Sequence, residues 1–259
     1  MPDKTRSRGF RDRAFGCYAW GVFILVVLFL GTLIIALRRA AWGRPVAHRA
    51  TRLMFRLAGM PLSVSGIEHL PRAPHLLLVN HTSFLDGLAL VALLPPRPGY
   101  AFVVRQQFPS QRLLCPLLRG IGVIVLAHPP PGRRSSNVKG LARALKRGEN
   151  IILFPEGGIV PEPGLRPFHS GAFIAAASAK MPIAVAGLHG ARAALRPGTW
   201  LPRRCAVHLE IGTAIMPGSE DAASAEHLRA AARRAMLSLT GEGDASAEDG
   251  LPAREHHLP

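Results

Sequence analysis

The chain has 259 residues, enough for one substantial α/β domain with an anchor or a tail beside it. Its 32 basic residues outnumber 16 acidic ones, and the net charge of +16 implies an anionic partner: nucleic acid, anionic lipid or a phosphorylated small molecule. With 6% aromatic residues and no recognition-module signature, no nucleic acid partner is expected; Cys17, Cys115 and Cys205 are too scattered for a disulfide framework or a metal site.

Residues 1–16 form a basic segment, and residues 17–37, CYAWGVFILVVLFLGTLIIAL, then run for 21 positions without a charge. About 20 apolar residues in a helix cross a hydrocarbon core of roughly 30 Å. No cleavage pattern follows, and Arg38 and Arg39 come at once, so a retained transmembrane or membrane-embedded helix is expected. A buried core helix is the plainer alternative. Basic residues flank the run on both sides, which favours a cytoplasmic C-terminal side only slightly; a helix dipping into one leaflet fits the same charges. Beside an anchor, the anionic membrane surface is the economical partner, because each juxtamembrane Lys or Arg gains about 1 kcal/mol there. Residues 38–60 stay basic, with Val46, Leu53, Met54 and Leu57 set among arginines, the pattern of an amphipathic interfacial helix.

From residue 61 the pattern changes to short aliphatic runs alternating with helical stretches. Strands are expected at 62–65, 76–79, 100–104, 123–126, 151–154, 183–187 and 206–211, and helices at 84–94, 109–118, 136–146, 170–179 and 221–239. This order predicts an α/β domain over 61–240, a mostly parallel central sheet flanked by helices. Pro/Gly clusters at 95–99, 128–132 and 161–164 mark loops at strand ends, where such sheets bind ligands. Residues 241–259 are polar, carry five acidic residues and read as a disordered tail.

Two strand ends carry the candidate chemistry. In LLLVNHTSFLDG (76–87), His81 follows an aliphatic strand and Asp86 comes five positions later. On a straight helix five residues separate side chains by roughly 140°, so the two meet only if His81 lies in the turn before the helix. Ser83-Phe84-Leu85-Asp86 supplies that turn as a capping box, with Ser83 as cap and Asp86 at the third helical position. Those residues alone support equally a base with an orienting acid, or a carboxylate that only caps backbone amides. In ENIILFPEGG (149–158) a second aliphatic strand ends in Glu156, followed by Gly157 and Gly158, which allow close backbone approach to a ligand. Together the two ends read as two walls of one site.

These segments resemble the PlsC-type glycerolipid acyltransferases, the lysophosphatidic acid and lysophospholipid acyltransferase family. NHTSFLD (80–86) matches the motif N-H-x-x-x-x-D, and FPEGG matches most of F-P-E-G-T-R. GVIVLAH (122–128) is similar to the middle motif, MPIAVAGLHG (181–190) to the late Pro-containing strand, and GLRPFHSGAF (164–173) to the stretch after F-P-E-G. The resemblance implies a glycerol-phosphate acyltransferase-like fold with an N-terminal membrane helix. It further implies a 1-acylglycerol-3-phosphate O-acyltransferase-like enzyme of phospholipid biosynthesis, at a bacterial inner membrane with its catalytic domain on the cytoplasmic side. The acyl group would pass from acyl-CoA or acyl-carrier protein, a substrate and not a cofactor, to the free hydroxyl of a lysolipid acceptor. No cofactor and no metal are implied. His81 would be the general base and Asp86 its orienting acid, with Glu156, Gly157, Gly158 and His128 on the acceptor. No G-x-S-x-G elbow occurs, which favours direct transfer.

Two positions depart from the family pattern. His128 stands where the middle motif usually ends in Arg, and Gly158-Ile159 stands where Thr-Arg usually follows F-P-E-G. Both arginines are linked in the family with the acceptor's phosphate, and His or Ile offers no equivalent of the guanidinium fork. Either Arg105, Arg133, Arg134 or Arg166 supplies the phosphate or anion contact, or the acceptor lacks a terminal phosphate, as a lyso-aminolipid or head-group lysophospholipid does. Two other classes stay open: a non-catalytic lipid-binding protein on a degenerate acyltransferase fold, and a thioester hydrolase using water as acceptor. His169 and His189 read as structural.

Overall fold

The computed structural model describes residues 4–37, 40–105, 124–126, 134–218 and 221–245, with side chains described at 11–26, 28–29, 43–103, 137–218 and 224–245. Seven aliphatic runs pair into one sheet: β1 (Leu62–Ser65), β2 (Leu76–Val79), β3 (Ala101–Arg105), β4 (Ile124–Leu126), β5 (Ile151–Leu153), β6 (Ile183–His189) and β7 (Val207–Ile211). Their order across the sheet is β1-β7-β6-β2-β5-β3-β4, and every pairing is parallel except β6 with β7. The mostly parallel α/β architecture expected from the sequence is therefore present.

Strands buried on both faces must be apolar at every position, and β2 is: its four residues are all fully buried. Leu77 and Val79 face a layer built on α2 (Ala40–Leu57) and α3 (Asp86–Leu93), with Met54, Phe55 and Leu90 in its core. Leu76 and Leu78 face the opposite layer of α4 (Arg134–Lys146), α5 (Gly171–Ala179) and α7 (Asp221–Thr240), where Leu145, Phe173 and Met236 pack. Because β5, β2 and β6 are parallel neighbours, their C-terminal ends emerge on one edge. A single-turn helix, α6 (Ala191–Ala194), follows β6. The helix expected at 109–118 lies outside the described residues.

The N-terminus differs most from expectation. From Lys4 on, the basic segment and the apolar run form one helix, α1 (Lys4–Leu37), so no break separates residues 4–16 from the apolar residues after them. Among the described residues, no helix is long and apolar enough to cross a membrane. The described part of α1 is also two-faced: Ala19 and Val22 are buried against the domain, with Phe15, Phe23 and Val26 packed beside them. Leu25, Leu28 and Phe29 remain 70%, 62% and 71% exposed. A run apolar on every side hides such a division, because composition does not reveal which side chains meet the domain. α1 packs along α2, and the Tyr18 hydroxyl donates to the Leu57 carbonyl at 3.1 Å.

Candidate active site

β2 is locked to β6 beyond its last ladder pair by a side chain. The Asn80 amide donates to the Leu188 carbonyl at 3.1 Å, and its oxygen accepts from the Leu188 amide at 2.7 Å. The chain then turns sharply into α3. His81 Nδ1 lies 2.9 Å from Asp86 Oδ2, and the same oxygen accepts from the backbone amides of Thr82 at 2.7 Å and Ser83 at 2.9 Å. Asp86 is fully buried, while the His81 side chain keeps 20% of its exposure. A carboxylate only accepts, so Nδ1 is the donor, and in the neutral imidazole the lone pair is on Nε2. Among the described residues Nε2 has no hydrogen-bond partner. The imidazole lies flat on Phe154, with ring centroids 3.9 Å apart and 12° between planes.

The capping box forms by halves. Asp86 reaches back to the Ser83 amide, but the Ser83 hydroxyl accepts from Leu85 at 3.2 Å instead of from Asp86, and donates to the Leu195 carbonyl at 2.8 Å. Regular helix accordingly starts at Asp86, two residues later than expected. Capping and orienting are not alternatives here, because one carboxylate oxygen does both.

Glu156 forms the second wall. Only 6% exposed, its carboxylate accepts from the His81 amide at 2.9 Å through Oε1 and from the Arg166 amide at 3.1 Å through Oε2. Burial pushes its pKa up; the amides of His81 and Arg166 pull it back, Glu242 raises it further and His81 lowers it. Both oxygens are thus engaged with backbone, and Glu156 ties the two strand-end turns together. Gly157 sits at φ 79°, in the left-handed region that favours glycine, where its amide closes the turn onto Phe154. Gly158 meets no such backbone demand: a Cβ there would touch nothing within 4 Å among the described residues, so the space beside it is open.

Of the sequence candidates, His81, Asp86, Glu156, Gly157 and Arg166 come together. Arg166 is half-buried, and its guanidinium has no partner among the described residues. Arg105 ends β3 and Arg134 begins α4, but their side chains, like the whole of His128 and Arg133, lie outside the described residues. Asn80 and Phe154 are site residues that sequence reasoning passed over, although both stand inside the quoted motifs.

The tail expected to be disordered from 241 joins the fold as far as 245. Leu165 pairs with Asp244 in a parallel bridge, and the Leu165 amide donates to the Gly243 carbonyl at 2.8 Å. Arg192 donates to the carbonyl of Glu162 at 2.9 Å and pairs with Glu242 at 3.4 Å. Arg233 donates to the carbonyls of Leu165 and Arg166 and pairs with Asp244. Tail carboxylates meeting part-buried guanidiniums explain the order, and the clasp braces the loop that carries Arg166. A cleft of about 280 Å³ opens beside it, lined by Asn80, Thr82, His189, Arg192, Arg196 and Glu242.

A strand-end histidine paired with a helix-start carboxylate, on the C-terminal edge of a mostly parallel sheet, sits in a fold shared with a solved structure. The crystal structure of the 1-acyl-sn-glycerophosphate (LPA) acyltransferase, PlsC, from Thermotoga maritima superposes with a TM-score of 0.71 at 17% identity, over 90% of this chain and 98% of that one. Residues 61–187, just under half of the chain, match the Acyltransferase family model. Among curated relatives, the lyso-ornithine lipid O-acyltransferase of Pseudomonas aeruginosa is 30% identical over 54% of this chain and 57% of its own length. The 1-acyl-sn-glycerol-3-phosphate acyltransferase of Saccharomyces cerevisiae is 28% identical over 65% and 54%. The human 1-acyl-sn-glycerol-3-phosphate acyltransferase alpha is 31% identical over 61% and 57%. The chain thus spans little more than half the length of these relatives.

Proposed function

We propose that this protein transfers a fatty acyl group from acyl-CoA or acyl-carrier protein to the free hydroxyl of a lysolipid, with His81 as general base. The observation that carries the reading is the 2.9 Å contact of His81 Nδ1 with a fully buried Asp86, which leaves Nε2 open. Nε2 takes the proton of the acceptor hydroxyl as its oxygen attacks the thioester carbonyl, and Asp86 stabilises the imidazolium. The intermediate then expels the thiolate, which recovers that proton from His81. The ester C–O bond forms, the C–S bond breaks, and neither metal nor redox cofactor is required. Direct transfer is favoured over an acyl-enzyme because the serine of the same turn, Ser83, is buried, with its hydroxyl bonded at both its donor and acceptor sides.

Glu156 acts in this reading as a brace that fixes His81 and Arg166, and Arg166 offers its guanidinium to the acceptor's head group. The acceptor is 1-acylglycerol-3-phosphate or a related lysolipid. A lysolipid without a terminal phosphate is the second reading, supported by Ile159 at the position of the family arginine and by the name of the Pseudomonas relative. The α1–α2 pair enters one leaflet with its exposed apolar face, at the cytoplasmic side of a bacterial inner membrane, in keeping with arginines on both flanks.

The test is an acceptor panel. Purified protein with acyl-CoA or acyl-carrier protein is given 1-acylglycerol-3-phosphate, head-group lysophospholipids and a lyso-aminolipid, and products are read by mass spectrometry. Diacyl product from at least one lysolipid is expected. Donor binding with no product from any acceptor would overturn the assignment and favour a lipid-binding role.

A further inference from the structure

Along α1 the described side chains change character in order. Exposed Arg11 and Arg13 come first, then Phe15, Tyr18, Trp20 and Phe23, then Ile24, Leu25, Leu28 and Phe29. At 1.5 Å per residue, Leu25 and Phe29 lie about 7.5 and 13.5 Å beyond Trp20. The aromatic level is shared with a distant loop. Trp20 Nε1 donates to the Trp200 carbonyl, with the two rings 6.2 Å apart, and Leu201 lies directly against Gly16. Arg204 stands over the Phe15 ring at 5.1 Å. Trp200 in turn stacks on Phe84, at 6.0 Å and 7°.

Phe84 belongs to the turn that holds His81 and Asp86. Its neighbours Thr82, Ser83 and Asp86 are buried, yet Phe84 is 59% exposed and Trp200 72%. Large aromatics facing water beside a catalytic turn mark a contact surface. The loop around Trp200, LRPGTWLPRRCA (195–206), carries three arginines and no carboxylate, and Arg196, Arg203 and Arg204 are all exposed.

We propose that Trp200 and Phe84 form a second bilayer contact beside the α1–α2 pair, an interfacial seat for an anionic lipid surface that holds the His81 turn at the glycerol level of the leaflet. The cationic, aromatic and aliphatic levels follow one another in the order that a bilayer presents phosphates, interface and hydrocarbon. A second copy or a soluble protein partner supplies no such ordering. The last clause of the proposal rests on the acyltransferase reading; the bilayer contact does not.

The chain has three tryptophans, so Trp20→Phe with Trp42→Phe leaves Trp200 as the only one. That full-length protein is mixed with phosphatidylcholine vesicles containing phosphatidylglycerol and brominated acyl chains. Trp200 emission is expected to shift to the blue and to be quenched more by bromines near the glycerol than by deep ones. Unquenched emission from vesicle-bound protein overturns the proposal, as does a blue shift that appears only on self-association without lipid. A second measurement uses Trp200→Ser in the otherwise native chain. Its KM for a bilayer-presented lysolipid is expected to rise by about tenfold, with KM for a short-chain monomeric lysolipid unchanged. Equal effects on both acceptors, or on neither, contradict the proposal. If no acceptor is acylated at all, the proposed function fails while the quenching still decides the contact.

Discussion

Histidines stand at both ends of β2, and the two ends employ them differently. At the N-terminal end His75 is 2% exposed, with Nδ1 at 3.0 Å from the Ala73 carbonyl and Nε2 at 2.8 Å from the Tyr100 hydroxyl. Burial lowers its pKa below the ordinary 6.5, partly offset by Ala73, and burial raises that of Tyr100. Both ring nitrogens are engaged by neutral groups, which makes His75 a strut. At the C-terminal end one nitrogen of His81 meets a carboxylate and the other stays open. A charged partner on one side and access on the other distinguish a base from a strut, and both features come from the turn, not from the histidine.

The largest effect that can break this comparison is at His81. His81→Ala is expected to lower kcat by about 10³-fold while circular dichroism stays unchanged; full turnover would make His81 a second strut. Asp86→Asn keeps an oxygen for the Thr82 and Ser83 amides but cannot balance an imidazolium, so kcat should fall by roughly 10²-fold or more. Unaltered kcat in that variant would leave Asp86 as a cap alone.

Glu156→Ala orphans two backbone amides, each worth about 1–3 kcal/mol when buried without an acceptor, and should lower both urea stability and kcat. Its pH signature is specific. With the folded pKa raised above 4.5, the group's contribution to stability is present below 4.5 and is lost as pH rises through the folded value. Acidification through the folded value should therefore raise the urea midpoint of the native protein relative to Glu156→Gln, and a relative fall would contradict the raised pKa.

The smallest expected effect lies at the strut. Tyr100→Phe should cost about 1 kcal/mol and leave kcat intact. His75 has a lowered folded pKa, so its contribution is present above 6.5 and disappears as pH falls through the folded value. Loss of Tm on acidification below 6.5 should be absent in His75→Phe and unchanged in His81→Ala. The reverse pattern would exchange the two roles.

How much could be read from the sequence depends on the distance over which each contact acts. The strands were legible because a parallel sheet covered on both faces demands continuous aliphatic runs, as in 76–79 and 151–153. The His81–Asp86 pair was legible because it closes within five residues. Asn80 with Leu188 is a contact across 108 positions, and it exists only because β6 lies beside β2. Glu156 was assigned to the acceptor by the family resemblance alone; its bonds to the His81 and Arg166 amides span 75 and 10 positions and are not written in the motif. Glu242 and Asp244 looked like a solvated tail because composition does not reveal Arg192 and Arg233 waiting in the fold. The apolar run of α1 was plain, but the face that meets the domain was not.

The central claim is direct acyl transfer to a lipid hydroxyl. It is tested most directly by a single-turnover quench with acyl-labelled thioester, with and without lysolipid. The account predicts no thioester loss without acceptor, labelled diacyl product equal to thioester consumed with it, and no label on the protein. Label on the protein, or thioester cleaved at the same rate without lysolipid, would contradict it.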